Sequence, residues 1–273
     1  LFWINASAIR MPLSQDVLLW MRERSRILEL AVLAVLILVA GAGEWDTLFA
    51  RALLLPGIWV ALLTLRLMDD LGSLPFDRKR KDRPAHARTD STASLRHFLT
   101  GIGVVSLILT LPVGAWLKSA GLAAVLIVSQ IVYAVFPMKA WSSGRHAWVH
   151  LKYPLLVLVV AWPAKLSDLA GALAVYALFG LFELVDDPKF HKHRFRIAFG
   201  LFYGILISAA WIFRGGIDGR AADLEGALIA CVVSIAFGIG IRGNKGHGKT
   251  LKYVPFAAGL LLLVISGNRV IGA

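Results

Sequence analysis

The stretch LFARALLLPGIWVALLTLRLMDDLGSLPFDRKRKDRP, residues 48–84, changes character twice along its length. Its first part, residues 48–68, is apolar apart from Arg51 and Arg66. It is long enough to cross a bilayer as a helix, which needs about 20 residues. Asp69 and Asp70 follow at once, and a basic run begins at Arg78. The stretch therefore predicts a membrane-spanning helix whose polar chemistry lies at one membrane face.

Similar apolar runs recur along the 273-residue chain, of which 58% is hydrophobic with a mean hydropathy of +0.71. Backbone polar groups in lipid must pair within their own segment, which favours helices, and the alternation of a membrane barrel is missing. We expect an all-α membrane protein with residues 1–26 as a cytoplasmic N-terminal segment and residues 27–273 as a single integral membrane domain. The nine predicted transmembrane helices are 27–43, 48–68, 98–117, 120–137, 149–164, 169–185, 197–213, 222–241 and 253–267.

The basic residues predict the orientation of the chain in the membrane. The formal net charge is +12, and most of the 29 Lys and Arg residues fall in the N-terminal segment or in the loops after the second, fourth, sixth and eighth spans. Lys152 is counted with these loop charges. Cytoplasmic loops carry such an excess, so the N-terminus is expected in the cytoplasm and the protein in a bacterial inner membrane. Because the charges lie in short loops between spans, no nucleic-acid partner is expected.

The first acidic cluster follows the second predicted span. Asp70 and Asp77 lie one and eight residues beyond Asp69, so a helix continuing to Asp77 would bring all three roughly to one face. The basic run from Arg78 to Arg83 comes directly after them. Such a run binds anionic lipid headgroups as readily as a substrate phosphate, and the sequence leaves both partners open.

The second acidic cluster follows the sixth predicted span and consists of Glu183, Asp186 and Asp187. Glu183 precedes the two aspartates by three and four residues, which places them on one helical face, and Pro188 is expected to end the helix. Two facing carboxylate clusters suit Mg²⁺, which takes carboxylate and phosphate oxygens, with nearby Arg and Lys holding further phosphate charge. The competing interpretation is a set of solvated charges at the membrane interface.

The two clusters together resemble the UbiA superfamily of intramembrane prenyltransferases, across nearly the whole chain from Ile27. The first family motif, Asn-Asp-x-x-Asp-x-x-x-Asp-Arg followed by Arg-Pro, is matched by the segment from Asp69 to Arg78 and by Arg83-Pro84. Ser73 stands where that motif has its central Asp. The second motif is shortened here, and the segment Tyr133–Lys139 is similar to an aromatic-Pro segment of the family.

The resemblance implies a nine-helix bundle and Mg²⁺-dependent transfer of an isoprenyl group from an allylic diphosphate to an acceptor at the cytoplasmic face. One Mg²⁺ is then expected on Asp69, Asp70 and Asp77, the second on Glu183, Asp186 and Asp187, and the diphosphate on Arg78, Lys139 and Arg83. Ser73 and the short second motif keep an alternative open. In that alternative the chain is a catalytically degenerate UbiA-fold protein that binds a prenyl lipid, quinone or pigment, or a structural subunit of a larger membrane complex.

Overall fold

The fold is known from a computed structural model that describes residues 15–24, 27–41, 48–79, 87, 92–111, 116–135, 143–186, 201–207 and 209–210. Within this part of the chain all regular structure is helical, as predicted. The seven helices, numbered in chain order, are α1 (Gln15–Arg24), α2 (Ile27–Ala40), α3 (Leu48–Asp77), α4 (Ala93–Thr110), α5 (Trp116–Val135), α6 (Ser143–Val160) and α7 (Leu166–Asp186). Residues 201–207 and 209–210 are helical as well.

Three helices are long and apolar enough to cross a membrane, over Ala52–Pro75, Ala93–Thr110 and Trp116–Val135. Two shorter apolar helices cover His150–Val160 and Asp168–Gly180. The chain is therefore a helical membrane protein, and the count of nine spans stays a prediction. The predicted spans 222–241 and 253–267 lie outside the described residues, and 197–213 lies only partly within them.

The outer faces of these helices carry large apolar side chains. Three side chains of α5 are at least half exposed, namely Ile127, Ile131 and Val135. On α4 the same is true of Val104 and Ile108. A helix of a soluble protein would present charged or polar residues on this face. The apolar outer surface is what lipid contact requires, and it supports the assignment to a membrane.

Helix α3 is longer than its hydropathy predicts, because it continues past residue 68 to Asp77. The amide N of Arg78 still donates to the carbonyl O of Leu74 at 3.0 Å, so the helix continues past Pro75. At about 1.5 Å per residue its 30 residues span about 45 Å, more than the apolar thickness of a bilayer. The acidic residues thus extend the span as its last turns and do not form a loop.

Helix α1 lies within residues 1–26, where the sequence predicts only a cytoplasmic segment. Its residues Val17 and Trp20 are buried together with Leu67 of α3 and Leu95 of α4. A search for apolar spans misses this helix, because five of its ten residues are polar or charged. It packs across the ends of α3 and α4, next to the carboxylates.

Neighbouring helices alternate in direction. The C-terminal end of α4 meets the first turns of α3 and α5, because Thr110 lies against Gly57 and bonds Ser119 at 2.9 Å. Residues 161–165 join α6 to α7 closely enough to make the two antiparallel. Helices α3, α5 and α7 therefore run the same way and end on the same side. We call this side, marked by Asp69, Asp70 and Asp77, the acidic end.

The core lies between α2, α3, α5, α6 and α7 and is apolar over most of its length. Leu36, Leu62, Leu122, Leu156 and Val175, one from each of these helices, are at most 1% exposed. Burial of this kind holds the helices in fixed register, and the register determines which polar side chains meet at the acidic end.

Candidate functional site

Asp69 and Asp70 point in different directions, because consecutive residues of a helix are about 100° apart. Asp70, Ser73 and Asp77 follow one another at helical spacing. The Ser73 hydroxyl lies 3.0 Å from the carbonyl O of Asp70 and donates to Oδ2 of Asp77 at 2.5 Å. Ser73 therefore links two of the predicted carboxylate positions by a neutral hydrogen bond, at the place where the related motif has its central Asp.

Asp69 faces away from that row and into the contact between three helices. Its Oδ1 accepts a hydrogen bond from the hydroxyl of Tyr133 on α5, and its Oδ2 pairs with Nζ of Lys152 on α6. Nζ of Lys152 also lies 3.2 Å from the Tyr133 hydroxyl. We call Asp69, Tyr133 and Lys152 the Lys152 cluster, and it closes the junction of α3, α5 and α6 at the acidic end.

The ammonium group of Lys152 is fully buried, with a side-chain exposure of 0%, against 16% for Asp69. Its Nζ lies 5.3 Å from the centre of the Tyr153 ring and 5.8 Å from that of Tyr133, within the range of cation–π attraction. The Tyr153 ring is stacked on Phe179 of α7 at 3.9 Å. The Tyr133 and Tyr153 rings, from α5 and α6, thus lie beside the charge, and Phe179 of α7 packs against one of them.

Gly72 allows this close approach of α5 to α3. A Cβ atom at Gly72 would lie 3.3 Å from Cδ1 of Tyr133, tighter than ordinary van der Waals contact. The absence of a side chain at this position therefore lets Tyr133 pack closely against α3, within reach of Asp69.

Asp70 is held from the other side by α1. The indole Nε1 of Trp20 donates to Oδ2 of Asp70 at 2.8 Å, and both side chains are buried. Nε of Arg66, one turn earlier on α3, lies 3.8 Å from the same oxygen, longer than a direct hydrogen bond. The Trp20 ring also meets Phe98 of α4 edge-on at 6.2 Å. Helix α1 is therefore anchored on one of the predicted catalytic carboxylates.

Replacing Trp20 with Phe is expected to lower the free energy of unfolding by about 1.5 kcal/mol, because it removes a hydrogen bond to a charged group but keeps an aromatic ring. The midpoint of SDS-induced unfolding in detergent micelles, followed by circular dichroism, measures the change. Leu18→Ala, on the exposed face of the same helix, is the control and should leave the midpoint nearly unchanged. An equal loss in both variants would contradict the role given to the indole N–H.

The other predicted site residues are described less completely. Arg78 is exposed just beyond the end of α3, and the backbone of Glu183 and Asp186 forms the last turn of α7. Since α7 runs in the direction of α3, that turn belongs to the acidic end. The side chains of Glu183 and Asp186 lie outside the described part of the chain, as do Asp187, Lys139 and Arg83 entirely.

The resemblance implies Mg²⁺, and the described carboxylates fit such an ion unequally. Among the residues that the structure describes, no three His, Cys, Asp or Glu side chains form a group that could hold a metal ion. The described hydrogen bonds to Asp70 and Asp77 come from neutral donors, and Nε of Arg66 lies 3.8 Å from Oδ2 of Asp70. Asp69 is instead neutralised by an ammonium group. The Asp70 and Asp77 pair therefore fits a cation better than Asp69 does.

Lys152 is the residue that sequence reasoning misplaced. The sequence analysis counts it with the basic residues of a cytoplasmic loop, whereas the structure buries it in α6. One signal was present: Lys152 begins a run, KYPLLVLVV, that is otherwise apolar. An ionisable residue inside an apolar helix is a functional-site hypothesis by default, and the residue to seek is its partner of opposite charge.

The acidic end thus combines two buried carboxylates with neutral donors, one carboxylate paired with a buried ammonium group, and an exposed arginine beyond them. These side chains come from α1, α3, α5 and α6. Partners that lie on different helices are far apart in the sequence. No protein-family model, curated protein or solved structure matches the chain.

Proposed function

We propose that the chain is a UbiA-like prenyltransferase, which transfers an isoprenyl group from an allylic diphosphate to an acceptor at the cytoplasmic face of a bacterial inner membrane. One observation carries the proposal. A single continuous helix, α3, leads from an apolar membrane-spanning segment to the buried carboxylates of Asp70 and Asp77 and ends beside Arg78. A substrate with a long apolar tail and a diphosphate head has the same division along its length.

The proposed reaction breaks the bond between the allylic carbon and the diphosphate oxygen, and the acceptor forms a new bond to that carbon. Charge then develops on the departing diphosphate, and cationic groups fixed in a water-poor site stabilise it most effectively. Bound Mg²⁺ would supply most of this stabilisation as a Lewis acid. From this chain, Asp70 and Asp77 would hold the metal ion on the α3 side, and Glu183, Asp186 and Asp187 would hold it on the α7 side.

In this proposal the positive side chains bind the diphosphate. Arg78 is exposed at the end of α3, where a diphosphate entering from water meets it first. Lys139 and Arg83 are proposed to contact the same group, on the strength of the motif alone. A planar guanidinium group matches phosphate oxygens in pairs, so Arg78 is suited to orient the leaving group as well as to neutralise it.

The proposal is tested by the turnover of labelled geranyl, farnesyl and longer diphosphates by the purified protein, with and without Mg²⁺. We expect Mg²⁺-dependent release of diphosphate and a loss of about tenfold or more in Asp70→Ala/Asp186→Ala. Asp168→Asn is the matched control, because Asp168 caps the first turn of α7 at the opposite end by accepting from the amide N of Lys165 at 2.7 Å. Equal activity in all three proteins, or none with any diphosphate, would remove the transferase from consideration.

A second function is favoured by a specific feature of the same site. Ser73 contributes a neutral hydroxyl in place of a carboxylate, and Lys152 neutralises Asp69, so the acidic end has less negative charge than two metal ions require. We propose as the alternative a catalytically degenerate UbiA-fold protein that binds a prenyl lipid, quinone or pigment, or that is a structural subunit of a membrane complex. A prenyl lipid, quinone or pigment extracted from the purified protein, together with no Mg²⁺-dependent diphosphate binding, would support this alternative.

A further inference from the structure

The Lys152 cluster is more than a contact between helices, because it gives each oxygen of one motif carboxylate its own donor. Tyr133 donates to Oδ1 of Asp69 and Lys152 pairs with Oδ2. A metal ion coordinated by Asp69 would therefore share an oxygen with the hydroxyl or with the ammonium group. The two donors come from different helices, and both belong to the packed junction of α3, α5 and α6.

Moving the ammonium group of Lys152 away from Asp69 is costly, because the group is buried. Lys152 is 0% exposed, and the centres of the Tyr133 and Tyr153 rings lie 5.8 Å and 5.3 Å from its Nζ. Moving it off Asp69 would leave a positive charge without its counter-ion in an apolar interior, which is among the costliest changes inside a protein. The stacking of Tyr153 on Phe179 holds one of these rings in place, so the pocket around the charge is already formed.

A divalent cation and the ammonium group of Lys152 would repel each other if both were bound to Asp69. A divalent ion bound to Asp69 would lie within a few ångströms of Nζ of Lys152, where their repulsion is screened far less than in water. The described hydrogen bonds to Asp70 and Asp77 come instead from an indole N–H and a hydroxyl, and the nearest described cation to Asp70, Nε of Arg66, lies 3.8 Å away. The direct pairing with a buried ammonium group therefore distinguishes Asp69 from the two carboxylates that follow it.

We propose that Lys152 is a positioning residue that fills, with its own ammonium group, the place at Asp69 that a divalent cation would take. Asp69 then coordinates no metal ion in this chain, and any metal ion at the acidic end is held by Asp70 and Asp77 and by the carboxylates at the end of α7. This inference rests on the proposed function and deepens it, since it names the residue that keeps Asp69 from being a metal ligand of the same site. The tethered charge would also keep the three helices in position when the site is empty.

The test is the binding of Mn²⁺ alone, as a paramagnetic stand-in for Mg²⁺, to the full chain in detergent micelles, measured by electron paramagnetic resonance. We expect Lys152→Met to bind Mn²⁺ about tenfold or more tightly than the wild type, because Asp69 becomes available as a ligand. Asp69→Asn should leave the wild-type affinity unchanged, whereas Asp70→Asn should lower it by about tenfold or more. A merely structural Lys152 would give no gain of metal binding.

Two outcomes would overturn the inference. One is a loss of Mn²⁺ affinity in Asp69→Asn equal to that in Asp70→Asn, and the other is a Lys152→Met protein that binds no more Mn²⁺ than the wild type. If Asp69→Asn does not fold, Asp69→Asn/Lys152→Met replaces it, since both charges are then removed together, and it should lose the gain of Lys152→Met. No isoprenyl substrate is used, so failure here is distinct from failure to find the transferase reaction.

Discussion

Asp69→Asn is expected to lower the free energy of unfolding by about 3–5 kcal/mol, the largest change predicted for any substitution at the acidic end. The substitution keeps the size of the side chain and a hydrogen-bond acceptor for Tyr133. It removes the negative charge, so the fully buried ammonium group of Lys152 loses its counter-ion. The midpoint of SDS-induced unfolding in mild-detergent micelles, followed by circular dichroism, measures the change.

The double variant Asp69→Asn/Lys152→Met separates the charge from the shape of the site. Replacing both partners of a buried ion pair by neutral groups of similar volume is often nearly neutral, so most of the lost stability should return. Asp77→Asn is the matched single control, because Asp77 accepts from the neutral Ser73 hydroxyl, and it should cost only about 1 kcal/mol. A double variant as unstable as Asp69→Asn alone would show that Lys152 does not depend on Asp69.

The helices were predictable wherever hydropathy alone defines them. The predicted span 120–137 corresponds to α5, and 169–185 corresponds to α7. Hydropathy failed where other interactions determine a boundary: α3 continues through Asp69 and Asp70 because side-chain hydrogen bonds and packing support its last turns. It also missed α1, whose burial depends on Trp20 meeting a carboxylate that is distant in sequence.

The site was predictable only along a single helix. Spacing predicts Asp69, Asp70 and Asp77 roughly on one face of a continuous helix. The structure brings Asp70 and Asp77 to Ser73, whereas Asp69 faces α5 and α6. Spacing contains no information about the register between helices, which depends on how core side chains such as Leu62 and Leu156 interlock. The partnership of Asp69 with Lys152 follows from that register, so no pattern in the sequence specifies it.

Two close backbone contacts lie at the opposite end, where α2 meets α6 and α7. A Cβ atom at Gly171 would lie 2.6 Å from the carbonyl O of Ala40, and one at Gly41 would lie 2.6 Å from that of Val157. In both cases the obstacle is backbone, which cannot rotate away as a side chain does. Small residues allow membrane helices to approach in this way, and van der Waals packing then holds the helices together.

Gly171→Ala is therefore expected to destabilise the protein by about 3 kcal/mol, the upper part of the usual range for overpacking a well-packed interior. A single methyl group must push α2 and α7 apart, and the contacts along their shared core loosen with them. Gly101→Ala is the matched control, since a Cβ at that helical position meets nothing within 4 Å. There the same change should stabilise the helix by up to about 1 kcal/mol, because Ala loses less backbone freedom than Gly.

The comparison of the two glycine variants isolates packing from helix propensity, because the substitution and the type of secondary structure are the same. Unfolding midpoints measured side by side in one detergent should differ by about 4 kcal/mol once converted to free energies. Equal midpoints would mean that α2 and α7 separate without loss, and would contradict a close contact at Ala40. A large loss for Gly171→Ala would instead show that the opposite end is the rigid one, against which the polar groups of the acidic end are held in register.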